Sequence, residues 1–289
     1  MSGFRVGFAP ITWNNEDLKD LRPAVAYTTV LDEIRGAGYE GTELGDGFPR
    51  DAGELRRALD ERGLAMPSAW CGLSFEDSDL EHTRRLCEFL AQVGATFVNL
   101  ADQGTPERRA WAGRAADPGC PRLDATGWDR LAEHVSQAAE IARANGLQAA
   151  FHLHAGTWIE TRADLHELLC RTDAGLVKLC WDVGHALYGG IDPVQVVQGL
   201  ADRIAYVHLK DLDGAVLDSL VRERAGFEAA IRRRVFTELG RGRLDLPGLL
   251  AALRAIGYAG WLMVEQDSTW LEPAESARLS RGLLGTLGV

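Results

Sequence analysis

Four short stretches each end an apolar run with groups that can bind a metal or move a proton. FHLH carries His152 and His154, WDVGH carries Asp182 and His185, HLKD carries His208, Lys210 and Asp211, and VEQD carries Glu265 and Asp267. A fifth, TELG, holds Glu43. Imidazole nitrogen and carboxylate oxygen together suit Mn²⁺, Co²⁺, Zn²⁺ or Fe²⁺. Carboxylates and histidines crowded without a cation need protonation or pairing to be tolerated. A divalent ion at ~2.0–2.3 Å from each ligand removes that cost. Each residue alone has a plainer reading. His152 would serve as a hydrogen-bonded core histidine, Asp182 as a helix N-cap, His208 as a core filler, and Glu265 as the ion-pair partner of Lys210. Four ligand-type residues on four separate runs point instead to one shared metal site.

Something must bring these ends together. The runs have strand length and read FRVGFAPI (4–11), GTELG (41–45), AMPSAWC (65–71), TFVNLAD (96–102), QAAFHLH (148–154), LVKLCWD (176–182), IAYVHLKD (204–211) and WLMVEQD (261–267). Amphipathic stretches near 28–37, 52–62, 77–93, 128–145, 162–172, 193–202, 246–256 and 272–287 predict a helix after each. Gly38, Gly63, Gly146 and Gly257 stand where helix C-terminal caps belong. Asp192-Pro193 and Leu246-Pro247 read as the openings of the sixth and seventh helices.

Eight alternations in 289 residues predict a (β/α)8 TIM barrel, a single domain over residues 1–289. A doubly wound sheet usually carries a glycine-rich first turn, and APITWNNED has neither GxGxxG nor GxxxxGK[ST]. In a parallel barrel the strand ends meet at one mouth. Side chains two apart share a face, so His152 and His154 point one way, as do His208 and Lys210. Long connections at about 103–127 and 212–243 fall on that active-site face. Within the second, AGFEAAIRRR looks helical and could serve as a lid.

A hydrophobic share of 46% and a charged share of 25% are ordinary for a soluble globular chain. The net charge of -11 repels phosphate backbones, so no nucleic-acid partner is expected. Arg232, Arg233 and Arg234 read as a solvated helix face, or as local steering for a small anion. The five cysteines show no CxxC or short Cys–His spacing, which argues against a disulfide framework or a structural zinc. Free thiols fit a reducing cytosol. MSGFRVGFAP has no long apolar h-region, and no run approaches the ~20 apolar residues of a membrane span. A cytoplasmic protein with no membrane partner is therefore expected.

The order GFAPITW, GTELGDGFPRD, FHLHAGTWIET, WDVGHALYGG, YVHLKD, WLMVEQD resembles the xylose-isomerase-like barrel superfamily. Within it the likeness is to the inosose dehydratases of inositol catabolism, from about residue 4 to about residue 270. APITW, ELGDGFPRD and HAGTWIET are the discriminating stretches, whereas WDVGHA and HLKD are common to the superfamily. The region 213–243 matches poorly and is expected to cover the substrate.

The resemblance implies a divalent metal, Mn²⁺ or Co²⁺, at the mouth. Superfamily members use a strand-five Glu, a strand-six Asp, a strand-seven His and a strand-eight Glu. By position Asp182, His208 and Glu265 match the last three. Strand five here carries histidines, as in the dehydratases, which implies His152 as ligand with His154 beside it, or the reverse. Members are often dimers or tetramers, so a homo-oligomer is a further expectation.

The implied reaction is loss of water from inosose, a small polyhydroxy ketone, through an enediolate to a trihydroxycyclohexane dione. His154 or His185 would be the base, with Glu43 and Lys210 orienting or donating protons. Each such group is worth ~10²–10⁴-fold. Lys210 could instead neutralise the carboxylates. Trp13, Trp70, Trp158 and Asp211 are expected to contact substrate, the indoles against C–H faces, with core packing as the alternative for them and for Trp181. The rival functions are a metal-dependent ketose or inosose isomerase or epimerase, a DNA-repair endonuclease, which the -11 charge opposes, and a sugar-binding protein without a metal cluster.

Overall fold

Strands covered on both faces need continuous apolar runs, and those runs are the segments that pair in the computed structural model, which describes residues 3–289. In chain order the strands are β1 (Arg5–Phe8), β2 (Trp70–Leu73), β3 (Phe97–Asp102), β4 (Gln148–His152), β5 (Val177–Asp182), β6 (Ile204–Leu209), β7 (Asp211–Leu212), β8 (Phe236–Thr237) and β9 (Trp261–Val264). Seven form one parallel sheet in the order β1-β9-β6-β5-β4-β3-β2. The gap between β1 and β2 is closed by Gly41, which bridges Gly7 on one side and Ala65 on the other. The strand expected at 41–45 is thus reduced to that bridge, and the result is a closed TIM barrel. Gly41 is required there, because a Cβ would meet Trp261 Cη2 at 2.7 Å and the Ala65 carbonyl at 2.8 Å.

Helices Tyr27–Gly36, Ala52–Asp60, Asp77–Val93, Ala125–Ala144, Arg162–Arg171, Leu246–Ala255 and Pro273–Thr286 lie where the amphipathic pattern places them. The cap glycines Gly38, Gly63, Gly146 and Gly257 adopt φ of 92°, 61°, 76° and 72°, the left-handed region open to glycine. One helix needs correction: 193–202 holds only the 3-10 turn Val197–Leu200. Asp192 accepts from the Val194 and Gln195 N–H groups in a turn, and the β-branched Val194, Val196 and Val197 disfavour continuing it as a helix. A short helix that periodicity does not reveal, Val183–Tyr188, follows β5 directly.

Ala150, Cys180, Tyr206 and Met263 fill the barrel interior. A larger layer that includes Phe8, Leu100, Phe151, Leu179 and Val207 packs the sheet against the helices. The long connection after β6 has its own small core of Leu217, Leu220, Phe227, Ile231 and Phe236, built on helices Gly214–Glu223 and Phe227–Arg232 and on the antiparallel β7–β8 pair. The ion pair of Arg232 with Asp20, at 2.9 Å, fastens this insertion to the loop after β1.

Candidate active site

Register decides which side chains meet. His152 on β4 pairs with Cys180 on β5, and Asp182 pairs with His208 on β6. One more strand round, His208 pairs with Met263, two residues before Glu265. The ligand atoms of His152, Asp182, His208 and Glu265 consequently all lie within 4.8 Å of one another.

Hydrogen bonds orient them. His152 Nε2–H donates to Asp182 Oδ2 at 3.2 Å, which leaves Nδ1 buried without a partner. His208 donates from Nδ1 to Glu265 Oε2 at 2.9 Å and from Nε2 to Glu43 Oε1 at 3.1 Å. Asn99 also donates to Glu43 Oε1, at 2.9 Å. Asp182 Oδ1 caps the helix after β5 through the His185 N–H at 2.7 Å.

Burial alone would take the proton from His208, but Cys180, Glu43, Glu265 and Asp182 hold it well above the usual histidine range. Burial alone would likewise raise Asp182 and Glu265. For Asp182 it is outweighed by Lys210, His185 and bonds from both histidines, and for Glu265 by Lys210 and His208, so both carboxyls are held low. Two low carboxylates facing a histidine that must stay protonated are the donor set that a divalent cation relieves. The residues present therefore fit the divalent ion that the sequence implies, and His152, Asp182, His208 and Glu265 would hold it.

Lys210 is almost wholly buried beside them. Its Nζ lies 2.8 Å from Glu265, 3.0 Å from Asp267, 3.1 Å from His185 Nε2 and 3.7 Å from Asp182. Burial pushes the Asp267 carboxyl up to about 7 against the opposing pull of Lys210. His154 donates from Nδ1 to the Ala155 carbonyl at 2.8 Å, and the Ala155 N–H reaches His185 Nδ1 at 3.2 Å. The two rings lie against each other with centroids 3.9 Å apart and planes tilted by 35°. Desolvation, with His152 and Lys210 nearby, pulls His154 down to about 3, so the ring is neutral.

Above these groups opens a cavity of about 460 Å³, with His152, His154, His185, Lys210, Glu265 and Asp267 at its floor. Glu43 also lines it, and Glu16, Asp17, Arg50 and Arg109 form a mixed-charge rim. Behind the wall, Glu160 accepts from the Gly113 and Gly156 N–H groups at 2.7 and 2.5 Å. It ties the loop after β3 to the loop after β4, and burial pushes its carboxyl up to about 7.

Of the substrate-contact candidates, only Trp70 lines the cavity, with its ring 5.1 Å from that of His152 and 5.8 Å from that of His154. The other three are placed elsewhere. Trp13 is buried against Phe8 and donates to Glu33 at 2.5 Å, so it is core. The Trp158 N–H is held by Asp102 at 2.6 Å, and its ring faces Arg108 outside the cavity. Asp211 accepts backbone N–H bonds from Leu212, Gly240, Gly242 and Leu244, so it anchors the insertion. Trp181 is buried, with its indole N–H 3.3 Å from the Pro193 carbonyl. Asp267 and Phe227 also line the cavity without an individual role assigned from the sequence. Asp267 is marked in the sequence only as closing the VEQD run with Glu265. Phe227 arrives from the insertion, in the AGFEAAIRRR stretch expected to be helical and to act as a lid, with its ring 4.7 Å from that of His154.

The xylose isomerase-like TIM barrel family model matches residues 31–285. The chain is 35% identical to an inosose dehydratase of Geobacillus kaustophilus, over 98% of this chain and 94% of that protein. It is 31% identical to an inosose dehydratase of Clostridium beijerinckii, over 96% and 95%. Among solved structures, an L-ribulose 3-epimerase superposes with a TM-score of 0.72 at 18% identity, covering 98% and 94% of the two chains. The IolI protein with a bound zinc atom superposes at 0.75 and 14% identity, covering 98% of each. No helix among the described residues is long and apolar enough to cross a membrane.

Proposed function

The chain belongs to the inosose dehydratases of the xylose isomerase-like TIM barrel family, and on that premise we propose that it is a divalent-metal-dependent hydro-lyase. Its substrate is inosose (2-keto-myo-inositol) and its product a trihydroxycyclohexane dione. The observation that carries this reading is the convergence of His152, Asp182, His208 and Glu265 under a polar cavity. A bound Mn²⁺ or Co²⁺ supplies Lewis-acid polarisation of the ketone.

The chain's own residues handle the protons. His154 is the base that takes the proton beside the ketone, giving the enediolate. Its Nδ1–H is committed to Ala155, so Nε2 keeps a lone pair, and that nitrogen makes no hydrogen bond among the described residues. His185 is the weaker candidate, because the Ala155 N–H and Lys210 engage its two nitrogens. Lys210 balances Glu265 and Asp267, and the wall it forms with Asp267 returns a proton to the departing hydroxyl. Glu43, fixed by Asn99 and His208, orients a substrate hydroxyl. Trp70 and Phe227, both beside His154, offer aromatic surface to the ring's C–H face.

NMR in D₂O, with Mn²⁺-loaded protein and inosose, tests the reaction. Water loss with a diketone product supports it. Deuterium exchange at carbon without water loss contradicts it in favour of an isomerase or epimerase.

A further inference from the structure

We propose that the barrel contains a second, deeper donor set for a thiophilic divalent ion, formed by His152, Cys180 and His208. The ligand atoms of these three residues all lie within 4.8 Å of one another, and all three residues are buried. Their placement follows from strand geometry. Cys180 and Asp182 are two residues apart on β5 and face the same way, into the barrel. Asp182 stands at the mouth, and Cys180 lies one layer below it, among Ala150, Tyr206 and Met263.

His152 Nδ1 is buried and without a hydrogen-bond partner, so this residue keeps one free ring lone pair while Nε2 is bonded to Asp182. Other buried thiols lack such company: Cys71 meets the Thr83 hydroxyl, and Cys120 meets the Arg108 guanidinium.

The two donor sets differ in softness. The mouth offers two imidazoles and two carboxylates. The deeper set replaces both carboxylates with one thiolate, which favours Zn²⁺ or Cd²⁺ over Mn²⁺. As the metal–sulfur bond and the metal–nitrogen bond to His208 form, the thiol proton and one His208 ring proton are released to solvent, with no redox change. His152 and His208 belong to both sets, so occupancy is exclusive, and to that extent the inference rests on the mouth being a metal site. An ion held by Cys180 leaves Asp182 and Glu265 unliganded and sits one layer down the barrel from Asp182, beside Ala150, Tyr206 and Met263. Thiophilic ions would therefore act as competitive inhibitors by drawing the metal position down the barrel.

The test uses full-length protein carrying Cys170→Ser, because exposed Cys170 lies 3.5 Å from His166 and offers a competing surface pair. Cd²⁺ titration is expected to produce a thiolate-to-metal charge-transfer band that saturates at one equivalent, is suppressed by excess Mn²⁺, and is lost when Cys180→Ser is added. X-ray absorption on the zinc-loaded Cys170→Ser protein should show one sulfur neighbour at about 2.3 Å, which needs no change inside the barrel. Absence of both the band and the sulfur neighbour, or a band that survives Cys180→Ser, overturns the proposal. Mn²⁺ binding followed by electron paramagnetic resonance separates the two readings. Mn²⁺ bound with no cadmium band removes the deeper site alone, whereas no binding of either ion removes both.

Discussion

The Lys210 ammonium lies 2.8 Å from the Glu265 carboxylate, and Lys210 is 1% exposed. Removing one member of a buried pair leaves an uncompensated charge and costs roughly 3–5 kcal/mol. Lys210→Met should lower the unfolding free energy by about that amount in urea melts without metal. Divalent metal should restore part of the loss, because the cation compensates Glu265 and Asp182. A variant as stable as the parent without metal would show that Lys210 does not balance these carboxylates.

His152 and His154 are two residues apart yet are assigned different tasks. His154→Gln should lower kcat by ~10²–10⁴-fold with metal content unchanged. His152→Gln should lose bound metal on elemental analysis. Equal metal loss in both variants would exchange their roles.

Asp211 anchors the loop at 240–244 by accepting three backbone N–H bonds from Gly240, Gly242 and Leu244, beside one from Leu212. Asp211→Asn turns an amide N–H₂ toward those donors, and should cost ~1–3 kcal/mol and speed proteolysis at 240–244. Because Asp211 does not line the cavity, this variant should keep its KM for inosose at permissive temperature. A large rise in KM with stability unchanged would return Asp211 to the substrate.

The Glu160 carboxyl titrates at about 7 in the fold, against 4.5 for an unperturbed glutamate. The folded state therefore binds its proton more tightly than the unfolded chain. The resulting stability is present below pH ~4.5 and is lost as pH rises through about 7. The difference is on the order of 3 kcal/mol. Asp102, pushed up to about 6 by burial, adds a slope of the same sign. Urea melts at pH 5 and pH 8 should show a smaller loss of stability with rising pH for Glu160→Ala than for the parent. Parallel slopes would place that pH dependence elsewhere.

Much of this molecule could be read from its sequence because parallel strands buried on both faces leave unbroken apolar runs, and amphipathic helices between them end on glycines such as Gly63 and Gly257. The four proposed metal ligands stood out because each closes such a run. Legibility failed where tertiary contacts override local signals. GTELG reads as a full strand, yet only Gly41 bridges its neighbours, squeezed against Trp261 and Ala65. Trp13 and Trp158 sit near strand ends, but a strand end does not fix the direction in which a large side chain leaves the backbone. Phe227 reaches the cavity from a connection whose path depends on the Asp211 anchor and the Arg232–Asp20 pair, and neither has a periodic signature.

The central claim is that four strand ends hold one catalytic cation, and a crystal grown with Mn²⁺, measured at an X-ray energy where manganese scatters anomalously, tests it most directly. One anomalous peak is expected within ~2.0–2.3 Å of donor atoms from His152, Asp182, His208 and Glu265. A mouth without a peak, or a peak bound elsewhere while these four side chains stay hydrogen-bonded to one another, would contradict it.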